Sequence, residues 1–339
     1  MIRAKVVVTG GSGFLGKALA AKLASEGYEV HSVARSDVPE FKSIGVQHLR
    51  IDLTAPGPDL RRALDGAETV YHTAAKVDMW GRYQDFFAAN VEATRNLLDL
   101  SRGCGVRKFV FTSSPSVVAD GSDLCGVDES YPYPKRYSAH YPATKAQAER
   151  EVLAANDPGQ IKTVALRPHL IFGPGDTNLV PTVLERAKAG RLLRIGDGSN
   201  LTDLTFIEDC VNAHILADTA LDNNPDAAGK AYFISQGEPV KLWSWVDEVL
   251  TLHALPRIRR HMPYKLASGL AAALEVISRI RPGYPEPLLT KFLVCEMATS
   301  HYFNIQAAKR DLGFVPKYSI AEAMKRTFAS QPRSIAVND

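Results

Sequence analysis

Residues 5–16 read Lys5-Val6-Val7-Val8-Thr9-Gly10-Gly11-Ser12-Gly13-Phe14-Leu15-Gly16, and the architecture can be worked out from this stretch. Its first part is a continuous apolar run, the pattern of a strand covered on both faces. Leu15, Ala18, Leu19 and Leu23 then repeat at helical spacing and give one apolar face. Between strand and helix, the glycines at 10, 13 and 16 permit a tight turn, close approach of backbone to a pyrophosphate, and helix–strand packing. A helix N-terminus adds free N–H groups and the positive end of a dipole. Placed so, the turn predicts a dinucleotide site, with Gly10, Gly13, Phe14, Leu15 and Gly16 as candidate contacts.

Outward from that unit, strand-like runs recur at 29–33, 47–51, 68–73, 108–112, 162–166 and 230–235. Helical patterns fill most gaps, notably 86–104 and 142–155. Such alternation predicts an α/β fold, a Rossmann-type doubly wound parallel sheet of about seven strands. From about Ile171 the alternation breaks. Gly173-Pro174-Gly175-Asp176 opens a helical stretch over 180–189, and residues 260–310 are rich in aromatics and prolines. The expected division is a dinucleotide-binding domain over 1–170, with 201–236 returning to it. A smaller, mostly helical substrate lobe would take 171–200 and 237–330, leaving 331–339 as a tail. Within the lobe, 266–280 is apolar and helix-compatible. It reads first as a helix packed on the lobe, and second as a peripheral membrane or multienzyme contact.

Composition narrows the function classes. The chain has 339 residues, 40 Lys+Arg against 37 Asp+Glu, and a formal net charge of +3 without a basic stripe, so no nucleic-acid partner is expected. Uncharged runs fall far short of the ~20 residues of a spanning helix. The N-terminus enters a strand at once, so no signal peptide is expected. Cys104, Cys125, Cys210 and Cys295 lack ligand spacing; they read as free thiols, with no metal site, in a cytoplasmic protein.

Two further positions address the cofactor and the chemistry. The second strand ends in Val33-Ala34-Arg35-Ser36, with no acid at its tip; Asp37 lies two residues on. Arg35 suits a ribose 2′-phosphate, so NADP(H) is favoured over NAD(H). Tyr141-Pro142-Ala143-Thr144-Lys145 places a phenol and an ammonium one helical turn apart. A nearby ammonium stabilises a phenolate and makes the phenol a usable acid/base. The same spacing occurs at Tyr131 and Lys135, but Pro132 and Pro134 leave no regular helical turn there. Pro142 instead suits a first helical turn, and Ala143, Ala146 and Ala148 propagate it. The reading therefore takes Tyr141 and Lys145. Upstream, Phe109-Val110-Phe111 ends in Thr112-Ser113-Ser114, which would bring the Ser114 hydroxyl to the carboxyl end of a strand, where such sheets bind ligands.

Taken in order, these motifs resemble the extended short-chain dehydrogenase/reductases over essentially the whole chain. Asp52-Leu53, Ala74-Ala75, Asn90-Val91 and Arg167-Pro168-His169-Leu170 complete the pattern. The resemblance implies that Asp52 and Leu53 border the adenine, Ala74 and Ala75 line the cofactor groove, and Pro168 to Leu170 approach the nicotinamide. It gives Asn90 a role in supporting the lysine, with a buried structural asparagine as the equal alternative. Residues 166–176 and 203–209 resemble the 3β-hydroxysteroid dehydrogenase branch, which includes sterol-4α-carboxylate 3-dehydrogenases. Residues 74–81 and 310–316 resemble bacterial 2-alkyl-3-oxoalkanoate reductases of long-chain olefin synthesis.

The expected activity is ketone/secondary-alcohol oxidoreduction on a bulky hydrophobic small molecule, best a 2-alkyl-3-oxoalkanoate. The alternatives are a 3β-hydroxysteroid or sterol substrate, then sugar-nucleotide epimerisation with NAD. Ser114, Tyr141 and Lys145 would be catalytic. The pocket roof is expected to draw on Trp243, Trp245, Tyr264, Leu266, Leu270, Ile277, Tyr284, Leu288, Leu289 and Phe292. A homodimer is expected through the helices at 86–104 and 142–155, with Phe86, Leu97 and Leu100 as apolar contributors.

Overall fold

A computed structural model describes residues 3–329. Seven parallel strands form the central sheet: β1 (Arg3–Thr9), β2 (Tyr28–Ala34), β3 (Gln47–Arg50), β4 (Ala67–His72), β5 (Lys108–Thr112), β6 (Lys162–Pro168) and β7 (Lys230–Ile234). Their spatial order is β7-β6-β5-β4-β1-β2-β3, so the order reverses between β1 and β4. Ligands of open α/β sheets bind at that reversal, beyond the carboxyl ends of the strands.

Alternation along β1 shows why the sheet is buried on both sides. Val6 and Val8 pack with Leu19 and Leu23 of the helix Phe14–Ser25 on one face. Val7 packs with Val33, Val70, Leu97 and Phe109 on the other. Each such side chain contributes roughly 1.5–3 kcal/mol by leaving water.

The helix expected over 86–104 begins earlier, at Tyr83–Phe87, and runs through a π turn at Ala88–Glu92 into Ala93–Gly103. Phe86 and Leu97, expected at a dimer face, are core side chains of the single chain, at 1% and 0% exposure. Leu100 is half-buried. Helical spacing does not distinguish a face turned to the sheet from one turned to a partner. The second expected helix is His140–Ala154, joined to the first by a bidentate Arg95–Glu151 pair.

Beyond β6 the chain leaves the sheet and returns as the helix Ile207–Asn223 and the edge strand β7. The C-terminal part is largely helical: Leu242–Leu252, Tyr264–Ile280, Lys291–Ala298, Gln306–Leu312 and Ile320–Thr327. Short strands run through it: His261–Met262 pairs Arg194–Ile195, and His301–Phe303 pairs both Leu201–Thr202 and Leu124–Val127. The tail expected at 331–339 lies outside the described residues.

One expectation for the lobe is corrected. Trp243 and Trp245 are not a pocket roof but lobe core, their indoles donating to Met297 O and Met324 Sδ. Phe292 is likewise buried. The helix Tyr264–Ile280 packs inward through Ala267, Ala271, Glu275 and Ser278, while Leu266 and Ile280 stand 62% and 78% exposed. Small residues let this helix lie close, and its large apolar residues face outward. No helix of the described residues is long and apolar enough to cross a membrane.

Candidate active site

The glycine turn is built by two strands. Gly10 N–H donates to Val33 O at 2.8 Å, and Gly10 takes φ +71°, a conformation only glycine adopts without strain. A Cβ on Gly16 would stand 2.3 Å from Gly10 O, so Gly16 is what lets the helix seat on the turn. Gly13 is the N-cap, has ordinary extended geometry and carries no side-chain cap, which leaves the first N–H groups free. A Cβ there would meet only Gly10 O, at 3.2 Å. A bare, uncapped helix start fits a pyrophosphate. Ala74 closes the turn from β4, its N–H reaching Thr9 Oγ1 at 3.4 Å.

At the outer end, Arg35 and Arg50 follow and end adjacent strands, since Ala34 pairs Arg50 in the β2–β3 register. Arg50 Nε donates to Arg35 O at 3.0 Å and lies 4.0 Å from Asp37. Asp37 therefore turns toward Arg50. Asp52 accepts from Thr54 N–H and Oγ1, which holds its carboxyl below the usual range, with Arg35 adding to the effect. Leu53 is buried beside it.

Tyr141 stands in the first turn of the helix His140–Ala154, with Pro142 next, so the helical reading of this pair is the observed one. Tyr131 and Lys135 lie in an irregular segment, and Tyr131 donates to Asp120. Burial pushes the Tyr141 phenol up; the Ser114 hydroxyl, in hydrogen-bonding range, opposes this, and the Glu296 carboxylate adds to the rise. Ser114 caps a 3₁₀ turn, Pro115–Val118, and its Oγ lies 2.9 Å from Ser116 Oγ. Lys145 donates to Thr112 O at 2.6 Å and stands 4.0 Å over the Phe111 ring. Burial pushes its ammonium down to about 7. The lysine is thus held by the end of β5, one residue from the serine segment.

Asn90 sits in the π turn, and its side-chain hydrogen bonds run to Lys76 and Thr144. Its Oδ1 accepts from Lys76 N–H at 2.7 Å, and its Nδ2 donates to Lys76 O and Thr144 Oγ1. It ties the loop after β4 to the residue preceding the lysine. π turns often mark functional positions. That loop also carries Trp80, which stacks on Tyr284 at 4.9 Å and joins loop to lobe.

Pro168 ends β6, and Leu170 takes φ +41°, strained for a leucine. Between them His169 is buried and held neutral, pushed down to about 3 by burial and by His301. His169, Glu296 and His301 bring ligand-type atoms within 4.8 Å of one another. His301 and Glu296 carried no signal in the sequence, because only the tertiary fold brings the lobe back over the tyrosine. Asp203 secures this return, accepting from Phe303 N–H and Ser235 Oγ at 2.9 Å and donating its N–H to His301 O.

Residues 7–262 match the model of the 3-beta hydroxysteroid dehydrogenase/isomerase family. The chain is similar to a 2-alkyl-3-oxoalkanoate reductase of Stenotrophomonas maltophilia, 43% identical over 329 residues, covering 96% of this chain and 99% of that one. It is 36% identical to a mouse sterol-4-alpha-carboxylate 3-dehydrogenase (decarboxylating), over 96% and 88% of the two chains. Among solved structures, a UDP-glucuronic acid 4-epimerase from Bacillus cereus in complex with NAD superposes with a TM-score of 0.73, at 20% identity, over 96% and 97%. That likeness establishes the shared fold.

Proposed function

The chain belongs to the 3-beta hydroxysteroid dehydrogenase/isomerase family, oxidoreductases that use a nicotinamide cofactor, and from this we propose that it reduces 2-alkyl-3-oxoalkanoates with NADPH. The observation that carries the proposal is the convergence of Ser114, Tyr141 and Lys145 at the carboxyl end of β5. When bound, the cofactor supplies the hydride that reaches the carbonyl carbon. Tyr141 gives its phenolic proton to the carbonyl oxygen, which Ser114 holds. The Lys145 ammonium stabilises the phenolate left behind, and solvent restores the proton. Exposed Val77, Met79, Leu266 and Leu270 offer apolar surface on the loop after β4 and on the lobe. The test is turnover of a 2-alkyl-3-oxoalkanoate and a 3-ketosteroid with NADPH and NADH, beside epimerisation of UDP-glucose. Robust epimerisation without reduction of either ketone would overturn the proposal.

For the cofactor, Arg35 and Arg50 together favour the 2′-phosphate. Arg35→Ala should raise the Michaelis constant for NADPH by about tenfold, the loss expected of one charge-assisted hydrogen bond, with NADH little changed. Equal effects on both would mean that Arg35 does not read the phosphate.

The depressed Lys145 gives a pH dependence of definite sign. The free enzyme loses the ammonium as pH rises through about 7, so kcat/KM for reduction should fall on that limb. Lys145→Arg, which keeps its charge, should remove the limb even if the maximal rate drops. A limb unchanged in the arginine variant would assign it elsewhere.

The same proposal takes the enzyme as a homodimer through the helices around Tyr83 and His140, where Tyr83 is exposed. A monomeric mass by light scattering at micromolar protein would remove that part.

A further inference from the structure

Lys145 is held by a peptide at the end of β5, and that peptide has a second support on the other face of the sheet. The ladder between β4 and β5 ends at His72–Phe111, one residue short of Thr112. On the β6 side, Ser113 N–H donates to Leu166 O at 2.6 Å. A trans peptide points its carbonyl the opposite way, so Thr112 O faces the β4 side, beyond the last rung, and accepts from Lys145 Nζ at 2.6 Å. Side chains alternate along the strand. The Phe111 ring centroid lies 4.0 Å from the Lys145 ammonium, whereas Thr112, in phase with Val110, faces the helix Ile207–Asn223. There Thr112 Oγ1 lies 2.8 Å from Nε2 of the fully buried His214. The direction of that bond follows from the other ring nitrogen. His214 Nδ1 is 2.8 Å from Cys210 O, which can only accept, so Nδ1 carries the hydrogen. Burial pushes the imidazole down to about 4, which keeps it neutral and leaves Nε2 a lone pair. The Thr112 hydroxyl therefore donates to His214.

Resting on the reductase reading of Tyr141 and Lys145 above, we infer that His214 is a positioning residue for Lys145, acting through Thr112 from the opposite face of the sheet. Among the described residues, Thr112 O is the one hydrogen-bond acceptor that Lys145 has. The peptide carrying it is the last of its strand, and the ladder fixes it from the β6 side alone. Thr112 is β-branched, so a bond that holds its Oγ1 also holds χ1, and with it the backbone from which the carbonyl projects. A buried, neutral acceptor on a long helix suits this work, since it neither titrates near neutral pH nor moves with the solvent. Losing it would let the carbonyl shift, and the ammonium would follow, away from its place beside the phenol. A displacement of about 1 Å that starts away from the reacting atoms can cost about 10²-fold in rate.

The experiment follows reduction of a 2-alkyl-3-oxoalkanoate with NADPH across pH in the wild type, Thr112→Val, Thr112→Ser, His214→Phe and the Thr112→Val/His214→Phe double variant. Valine keeps the branched shape of Thr112 and removes the donor; phenylalanine keeps a ring at 214 and removes the acceptor. Each of these two variants should lose about 10–100-fold in kcat, with KM for the ketone little changed. The falling limb of kcat/KM should also move to lower pH, because an ammonium with a looser acceptor gives up its proton more readily. The groups that act electrostatically on or with Lys145 are Glu149, one turn along its own helix, and His72 at the end of β4, and every variant retains both. Thr112→Ser keeps the hydroxyl and should regain most of the rate. The double variant should lose no more than either single one, as a shared bond requires. If His214→Phe does not fold, the valine and serine variants decide the matter between them. A lower Tm with kcat and the limb unmoved would make the bond purely structural and overturn the inference. So would a serine variant as slow as the valine one, or losses that multiply in the double variant. A wild type that reduces no ketone but epimerises UDP-glucose would instead remove the reading on which the inference rests.

Discussion

Tyr141→Phe is expected to lower turnover by about 10²–10⁴-fold, the usual worth of a positioned general acid. In barrier terms that is about 3–5 kcal/mol. Phenylalanine keeps the ring in its half-buried place and removes only the hydroxyl, so NADPH titration followed by fluorescence should give a near-unchanged dissociation constant. Tyr131→Phe serves as the control. Its hydroxyl meets Asp120 outside the helix, and its loss should leave turnover near wild type. Two variants with equal losses would show that the helical placement of Tyr141 is not what selects it. A Tyr141→Phe enzyme with full activity would hand the proton to another group, and Ser114 would be the first to test.

How far such a site can be read from sequence depends on what carries the information. The tyrosine–lysine pair was legible because proline chemistry is local: Pro132 and Pro134 spoil one candidate turn, while Pro142 suits the start of the other. The glycine turn was legible for the same reason, since a strand, a turn and a helix follow one another directly. The seven strands appear at the expected places along the chain because each is a short apolar run set off by a helical pattern. Arg50 was not legible. Its place beside Arg35 depends on the register of β3 against β2, which periodicity does not specify. The lobe was misread where hydrophobicity alone was the guide. Trp243 and Trp245 look like pocket lining by composition, but an apolar residue suits a core equally well, and their indoles find partners there. His301 lay further out of reach, because a three-residue strand pairing with Leu201–Thr202 and Leu124–Val127 leaves almost no pattern in the sequence.

The glycine turn yields a second large effect that separates folding from cofactor binding. In Gly16→Ala the new Cβ meets Gly10 O at 2.3 Å and Gly10 C at 2.7 Å. Gly10 has no room to yield, because its N–H is bonded to Val33 O and its φ of +71° is already particular. The helix Phe14–Ser25 must lift away from β1 and loosen Leu19 and Leu23 in the core. Overpacking of this kind costs roughly 1–3 kcal/mol, and it should appear as a lower Tm without any cofactor present. Gly13→Ala should behave in the opposite way. Its backbone is extended at φ −82°, which alanine adopts freely, and the only near atom is Gly10 O at 3.2 Å. That contact is relieved by a shift of a few tenths of an ångström at the helix start, so the loss of stability without cofactor should be smaller than in Gly16→Ala. The methyl would instead stand where the helix start faces a pyrophosphate, so NADPH affinity should drop more than about tenfold. Calorimetric titration with NADPH and thermal melts of the cofactor-free proteins check both variants together. The reverse pattern, a fragile Gly13→Ala that binds NADPH normally, would mean that the pyrophosphate does not sit at this helix start.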